Sequence, residues 1–178
     1  MEILYAGGAS FVVRGDRTVV INPLRPVEKV EIALHGNRQK RGRAIVNGPG
    51  EYEIGGVLIV SARNGDKQSD ELLHAITIDD LTVAFVQKSR VGLLEQASED
   101  LGKIDVLLIG TEDISAAQKA VQGLEPRVVI PHGARASELA AALGVKDIQP
   151  QPRFIWNGTA KVSKVVLLKA PSARRRAA

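Results

Sequence analysis

The chain changes its secondary-structure pattern partway along, and this change most restricts how it can fold. Residues 2–86 consist mainly of short apolar segments separated by turn residues, which is typical of antiparallel strands. From residue 93 onward, segments with helical spacing alternate with strands of the buried type. A chain that combines an antiparallel-strand region with a region of alternating helices and strands is expected to pack two sheets together and to cover them with helices. The sequence therefore predicts an α/β protein, a four-layer α/β/β/α sandwich in a compact version.

The antiparallel half can be predicted strand by strand. Gly7-Gly8, Gly15-Asp16 and Asp79-Asp80 mark tight turns, and Gly55-Gly56 interrupts an alternating segment that fits a hairpin or a bent strand. We predict strands at residues 2–6, 9–14, 17–21, 30–34, 44–46, 52–60, 74–79 and 81–86.

The second half predicts helices and buried strands in alternation. Pro131 is expected to end one of these strands. Ser137 is placed to cap the start of the last helix, and Gly144 to terminate it. The predicted helices cover residues 93–101, 114–124 and 137–143, and the predicted strands cover 104–109, 127–130, 147–149, 153–156 and 162–168.

Length and composition indicate one globular domain. We assign residues 1–170 to it and residues 171–178 to a flexible basic tail. The 178 residues include no cysteine, which excludes disulfides, thiolate zinc ligands and thiol catalysis. No apolar run approaches the roughly 20 residues of a membrane span, and no secretory signal is visible. We therefore expect no membrane contact and a cytoplasmic location.

The net charge of +4 raises the question of nucleic-acid binding. Three of these charges lie in the tail, at Arg174, Arg175 and Arg176, so the remaining chain is close to neutral. Residues 38–43 add a second basic cluster, with four positive charges. A nucleic-acid-associated factor that uses the basic loop and the tail is therefore one alternative function. The chain does not show the mixture of aromatic and basic residues that a base-stacking surface requires.

One loop has the length and position of a metal-binding loop. Residues 35–40 (His-Gly-Asn-Arg-Gln-Lys) directly follow the apolar run 30–34, where an α/β enzyme commonly carries its chemistry. Only His35 among them is a good ligand for a metal.

Five segments match sequence patterns that occur together, in the same order, in one known family. Residues 47–57 (Asn-Gly-Pro-Gly-Glu-Tyr-Glu-Ile-Gly-Gly-Val) are close to the pattern G-P-G-E-Y-E-[IV]-x-G-V. Residues 19–23 resemble I-L-I-D-P, and residues 124–131 resemble L-x-P-[KR]-x-V-I-P. Residues 3–11 resemble the family's opening strand, and residues 104–109 resemble its D-[IV]-L-L-[IL] strand. The chain therefore resembles the small lactonase-like branch of the metallo-β-lactamase-fold hydrolases over roughly residues 2–169, and this resemblance implies the fold predicted above.

The same resemblance implies a zinc site, most of whose ligands this chain has replaced. The family motif H-x-H-x-D-H falls on residues 35–40, where only His35 matches, since the other three ligand positions carry Asn37, Gln39 and Lys40. The bridging aspartate corresponds to Lys88, and His132 lies one residue before the position of the final histidine. The remaining departures are Gly8, Asn22 and the neighbourhood of Arg63 and Asn64.

These replacements predict a protein without a metal and with no cofactor. Zinc requires at least three protein ligands, and an ammonium at a ligand position repels a cation. We predict that Lys40 and Lys88 take the place of the metal in a pocket for a small anionic ligand, with Asn37 nearby. The arginines expected to join them are Arg38, Arg41, Arg63 and Arg90. The plainer interpretation is a solvated basic loop, with Lys88 paired to a surface carboxylate.

Two further questions stay open at the level of sequence. Enzymatic activity is uncertain, and the lost ligands favour a protein that is not an enzyme. If it is one, the resemblance implies a metal-dependent hydrolase with an atypical, reduced site that uses His35 and His132, aided by Glu51 or the Asn37 and Gln39 pair. A small sheet-rich protein of this kind is also a candidate for homodimerisation.

Overall fold

The computed structural model describes residues 1–24, 32–34, 45–64, 71–89, 101–156 and 164–171. These ranges contain two mixed sheets and two α-helices. The first strands are β1 (Glu2–Gly7), β2 (Ser10–Arg14), β3 (Thr18–Ile21), β4 (Ile32–Leu34), β5 (Ile45–Val46), β6 (Gly50–Ile54) and β7 (Val57–Arg63). The later elements are β8 (Leu72–Ile78), β9 (Leu81–Ser89), β10 (Val106–Thr111), α1 (Ile114–Leu124), β11 (Val128–His132), α2 (Ala136–Ala142), β12 (Arg153–Ile155) and β13 (Lys164–Val165).

The six-stranded sheet has the order β12-β1-β2-β3-β4-β5, and the seven-stranded sheet has the order β13-β11-β10-β9-β8-β7-β6. In the second sheet, β6 to β9 form an antiparallel meander, while β9, β10, β11 and β13 are parallel. The change of pattern in the sequence therefore falls in the middle of this sheet, at β9.

The two sheets pack face to face over the larger apolar core. Side chains alternate along β9, so that Val83 and Phe85 enter the core between the sheets and Ala84 and Val86 enter a second core. That second core lies against α1 and α2. Ala117 and Ala120 are the residues that α1 contributes to it. The described residues thus confirm the predicted packing of two sheets with helices outside. Of the helices in these ranges, none is both long and apolar enough to cross a lipid bilayer.

Most predicted elements are present, and three details were wrong. β11 continues through Pro131 to His132, whereas Pro131 was expected to end the strand. Among the described residues, β13 pairs only with Val128 and Val129 of β11, so the missing N–H of Pro131 interrupts no hydrogen bond to β13. α2 begins after Arg135, without a side-chain cap from Ser137. Residues 147–149 form no strand. The helix predicted at 93–101 lies mostly outside the described residues.

A bulge in β9 alters the sheet at the end where the candidate site lies. Val86 pairs with Ile109 and Ser89 pairs with Thr111, so β9 places two residues, Gln87 and Lys88, opposite the single residue Gly110. The carbonyl of Gln87 would lie 2.2 Å from a Cβ atom at position 110, and Cε1 of His132 would lie 2.6 Å from it. The bulge therefore requires glycine at position 110.

We predict that Gly110→Ala destabilises the fold by at least about 1–3 kcal/mol, the usual cost of overpacking, because two backbone segments must separate. Chemical denaturation monitored by circular dichroism would measure this change. Gly123→Ala is the matched control, because position 123 lies in α1 with open space around it. That variant should be neutral or stabilised by up to about 1 kcal/mol. Equal stability of Gly110→Ala and wild type would show that the bulge tolerates a side chain.

Candidate functional site

Several strand ends meet at one edge of the seven-stranded sheet. β7, β9, β10 and β11 all run in the same direction, because β8 lies antiparallel between β7 and β9. Arg63, Lys88, Glu112 and His132 therefore lie at the same end of the sheet. The carboxyl ends of strands in α/β folds are where ligands commonly bind.

Lys88 forms an ion pair at this edge. Its Nζ lies 2.7 Å from Oε1 of Glu112, in the loop after β10; the two side chains are 39% and 76% exposed. The backbone of Lys88 is fixed more firmly, because the buried Asn64 donates a hydrogen bond from Nδ2 to the Lys88 carbonyl at 2.8 Å. This pairing is the plainer of the two interpretations given to Lys88 by the sequence. It also shows that a carboxylate fits against the ammonium group.

Gln87, the other bulged residue, connects the two sheets. Its Oε1 accepts a hydrogen bond from Nδ2 of Asn22 at 3.3 Å, and Asn22 directly follows β3 of the opposite sheet. The same amide also lies 3.3 Å from the carbonyl oxygen of Ala9. The I-L-I-D-P motif has aspartate at the position of Asn22. In this chain the side chain at that position forms hydrogen bonds within the protein. Sequence reasoning missed Gln87, because the one sign of the bulge, Gly110, lies on the neighbouring strand and far from Gln87 in the sequence.

His132 is a packed core residue. It is 4% exposed, and its ring lies parallel to Phe85 at a centroid distance of 5.5 Å and edge-on to Phe11 at 5.2 Å. Its Nε2 lies 3.1 Å from the carbonyl oxygen of Val86. A carbonyl can only accept, so Nε2 carries the proton and donates it.

Burial lowers the pKa of His132 to about 4, against smaller opposing effects of the Val86 and Gly8 backbone groups, which raise the pKa. The imidazole is therefore neutral at pH 7. A group with so low a pKa is a weak general base near neutrality, because a base works best when its pKa is close to the operating pH. The environment of His132 fits a structural role.

His74 and Ser61 form a second buried polar pair. Ser61 Oγ lies 2.7 Å from Nδ1 of His74 across the β7–β8 register, and both residues are almost completely buried. The sequence placed His74 at the start of a strand, whereas it lies inside β8 and packs near Phe85, at 6.5 Å between ring centroids.

Arg63 and Glu51 lie on the two strands of the β6–β7 hairpin. Both border a groove of about 360 Å³ along the β6–β7 hairpin, whose lining does not include Lys88. Glu51 and Glu53 are both exposed while Tyr52 packs against the core between the sheets, because side chains alternate along β6.

The predicted basic loop is outside what the structure describes. The undescribed residues of this region are His35, Asn37, Arg38, Gln39, Lys40 and Arg41. Arg90, which was predicted to join them, also lies outside the described residues. Their convergence with Lys88 on one cleft stays a prediction.

The described residues do not fit a zinc ion. Within the described ranges, no group of three or more His, Cys, Asp or Glu side chains is placed to hold a metal. The groups at the expected positions are the amide of Asn22, the ammonium of Lys88 and the imidazole of His132, whose Nε2 already donates to Val86. Zinc binds thiolates, imidazoles and carboxylates, and an ammonium is not among its ligands.

We predict that acid destabilises this protein partly through His132. The folded pKa of about 4 lies below the ordinary value of 6.5, so the unfolded chain binds the proton first and stability is lost as pH falls from about 6.5 to 4. Between pH 7 and pH 5 the loss should be about 2 kcal/mol. Urea denaturation at both pH values would measure it. His132→Gln keeps a donor for Val86 without titrating, so an equally large loss in that variant would contradict the assignment.

Comparison with known proteins bears on the fold. No family model matches the sequence, and no curated protein matches it. A candidate Zn-dependent hydrolase of the metallo-β-lactamase superfamily from Thermotoga maritima superposes with a TM-score of 0.82 at 17% identity, over 96% of this chain and 99% of that one. The metallo-β-lactamase fold protein YhfI from Bacillus subtilis gives a TM-score of 0.61 at 9% identity, over 95% and 97% of the two chains.

A third solved structure, the CmlA β-hydroxylase E377D mutant, gives a TM-score of 0.63 at 12% identity; the match covers 93% of this chain and 52% of that one. Identities this low carry information about architecture rather than activity. Sequence motifs, strand order and these superpositions agree, and the chain has the fold of the metallo-β-lactamase superfamily.

Proposed function

We propose that this chain is a metallo-β-lactamase-fold protein that works without zinc or hydrolase activity and binds an anionic ligand or partner at Lys88. The observation that carries the proposal is the contact between the Lys88 ammonium and a carboxylate at the edge where the strands end, 2.7 Å apart. The bound carboxylate, that of Glu112, belongs to the protein itself.

Replacing a metal ion by a lysine keeps one property of the site and removes another. A fixed positive charge still attracts phosphate or carboxylate through charge-assisted hydrogen bonds. An ammonium cannot polarise a substrate as a Lewis acid or lower the pKa of a bound water, as zinc does. The expected chemistry at Lys88 is therefore recognition of an anion such as a phosphate, a carboxylate or a nucleotide.

The ion pair with Glu112 does not block this function. Pairs between exposed side chains contribute about 0–1 kcal/mol, because water screens the charges and the side chains lose freedom. Both partners here are more than one-third exposed. We therefore expect a ligand of greater charge to compete with the Glu112 carboxylate for Lys88.

The two alternative functions receive no specific support from the described residues. A reduced hydrolase site would need His132 to reach substrate, whereas this ring is buried and bonded to Val86. The nucleic-acid alternative depends on residues 38–43 and 174–176, which lie outside the described ranges.

We predict that the protein purified in zinc-containing medium holds far less than one zinc per chain, because the described strand ends offer no suitable ligand set. Inductively coupled plasma mass spectrometry would measure the metal content, with a known zinc protein carried through the same purification as the control. Stoichiometric zinc that survives dialysis would overturn the proposed function.

We also predict that inorganic phosphate binds in the millimolar range and that Lys88→Gln weakens this binding about tenfold, or about 1.4 kcal/mol, close to the lower limit for a hydrogen bond to a charged group. Isothermal titration calorimetry at low ionic strength would measure both affinities. Lys103→Gln is the matched control, since it removes an exposed positive charge before β10, at the other end of the sheet. No binding heat in wild type, or equal losses in both variants, would contradict the proposal.

A further inference from the structure

The strand β6 forms one edge of the seven-stranded sheet. Among the described residues it pairs with β7 and with no other strand. Glu51 and Glu53 of β6 are both exposed, so this part of the edge is open to solvent. An open edge presents backbone N–H and C=O groups at the spacing that a further strand requires. Extended peptides bind many proteins in this way, through main-chain hydrogen bonds to an edge strand.

The turn after β6 determines which of its backbone groups face outward. Gly55 and Gly56 form this turn with positive φ angles of 59° and 84°, as a two-residue type I′ hairpin requires. Ile54, the last residue before the turn, therefore belongs to a hydrogen-bonded pair, and such pairs alternate with non-hydrogen-bonded pairs along the ladder. Glu51 and Glu53 belong to the non-hydrogen-bonded pairs. Their N–H and C=O groups consequently point away from β7, toward the open edge.

The two faces of β6 differ in polarity. Tyr52 and Ile54 are partly buried and pack against the core between the sheets. Glu51 and Glu53 lie on the opposite face and carry two negative charges. A strand added beside β6 would place alternate side chains next to each face. The edge therefore suits a segment in which apolar and basic residues alternate.

A groove beside Glu51 can receive one of the basic side chains. Its volume is about 360 Å³, and Val60 and Ala62 contribute an apolar wall. Arg63 also borders the groove, further along β7 than Val60, the residue that pairs with Glu51. Lysine and arginine pack their methylene stems along apolar surface while the charged end stays in water. Such a stem fits against Val60 with its charge close to the Glu51 carboxylate.

We propose that β6 binds an extended peptide segment of alternating basic and apolar residues, which adds to the sheet as an eighth strand. A second copy of β6 is a poor occupant, because antiparallel pairing of two such edges places glutamates opposite glutamates. Charged residues on edge strands commonly prevent aggregation. Here their negative sign excludes another acidic edge and attracts a basic strand. This surface is independent of the proposed anion site at Lys88.

The test uses a short end-blocked peptide of alternating lysine and valine as the probe. Fluorescence anisotropy of the labelled peptide would measure its affinity, and two-dimensional amide NMR spectra would locate the contact. We expect saturable binding that shifts the amide resonances of Glu51 and Glu53. The double variant Glu51→Gln/Glu53→Gln should bind about fivefold more weakly, the equivalent of about 1 kcal/mol.

Two controls separate strand addition from attraction by net charge. Asp147→Asn/Glu125→Gln removes the same charge at exposed positions after the two helices, and it should bind as wild type does. A peptide with N-methylated backbone amides at its lysines keeps its charge but loses the N–H donors. It should bind at least about tenfold more weakly, since several main-chain hydrogen bonds are lost.

The contrary outcomes are equally specific. Absence of binding, equal losses in the two double variants, or undiminished binding of the N-methylated peptide would each overturn the proposal. Amide shifts confined to residues outside β6 would do the same. Dimerisation in analytical ultracentrifugation that Glu51→Gln/Glu53→Gln strengthens would assign the edge to a second copy instead.

Discussion

The candidate site depends on the bulge in β9 opposite Gly110. Two residues, Gln87 and Lys88, share the place of one in the parallel ladder, because the Gln87 carbonyl approaches a glycine that has no Cβ. Bulges of this kind re-aim side chains and occur often beside functional sites. Here Gln87 reaches Asn22 in the opposite sheet and Lys88 reaches Glu112, so one irregularity of the backbone connects the sheet–sheet interface with the edge that carries the Lys88–Glu112 ion pair.

Asn22 and His132 lie at or beside positions where the resembled family has metal ligands, and in this protein both side chains form hydrogen bonds to other protein groups. Asn22 bonds to Gln87 between the sheets, and His132 bonds to the backbone of Val86 inside an aromatic cluster. Buried polar groups are stable only when they are paired, and these pairs involve the side chains that a metal would otherwise need. Lys88 differs from them because its side chain stays partly exposed and pairs with the exposed carboxylate of Glu112.

Local rules predicted most of the fold and little of the site. Strand and helix positions followed from apolar periodicity, and turns such as Asp79-Asp80 followed from residues that tolerate positive φ. The errors came where tertiary context overrode a local preference: Pro131 stays in a strand that it was expected to end, and α2 starts without the Ser137 cap. The partners of Lys88, Asn22 and His132 could not be predicted, because these contacts join residues far apart in the chain.

By itself, the sequence determined the order of elements, the family resemblance, the absence of cysteine ligands and the replacement of metal-binding residue types by Asn22, Lys88 and others. These properties depend on residue identity and short-range spacing, which are read directly along the chain. Only the tertiary structure decided that His132 is a neutral core group and that Glu112 faces Lys88. Burial and ion pairing depend on how β9, β10 and β11 align in the sheet, and a shift of one residue, such as the β9 bulge, changes them, although the glycine that permits the bulge, Gly110, lies on a different strand.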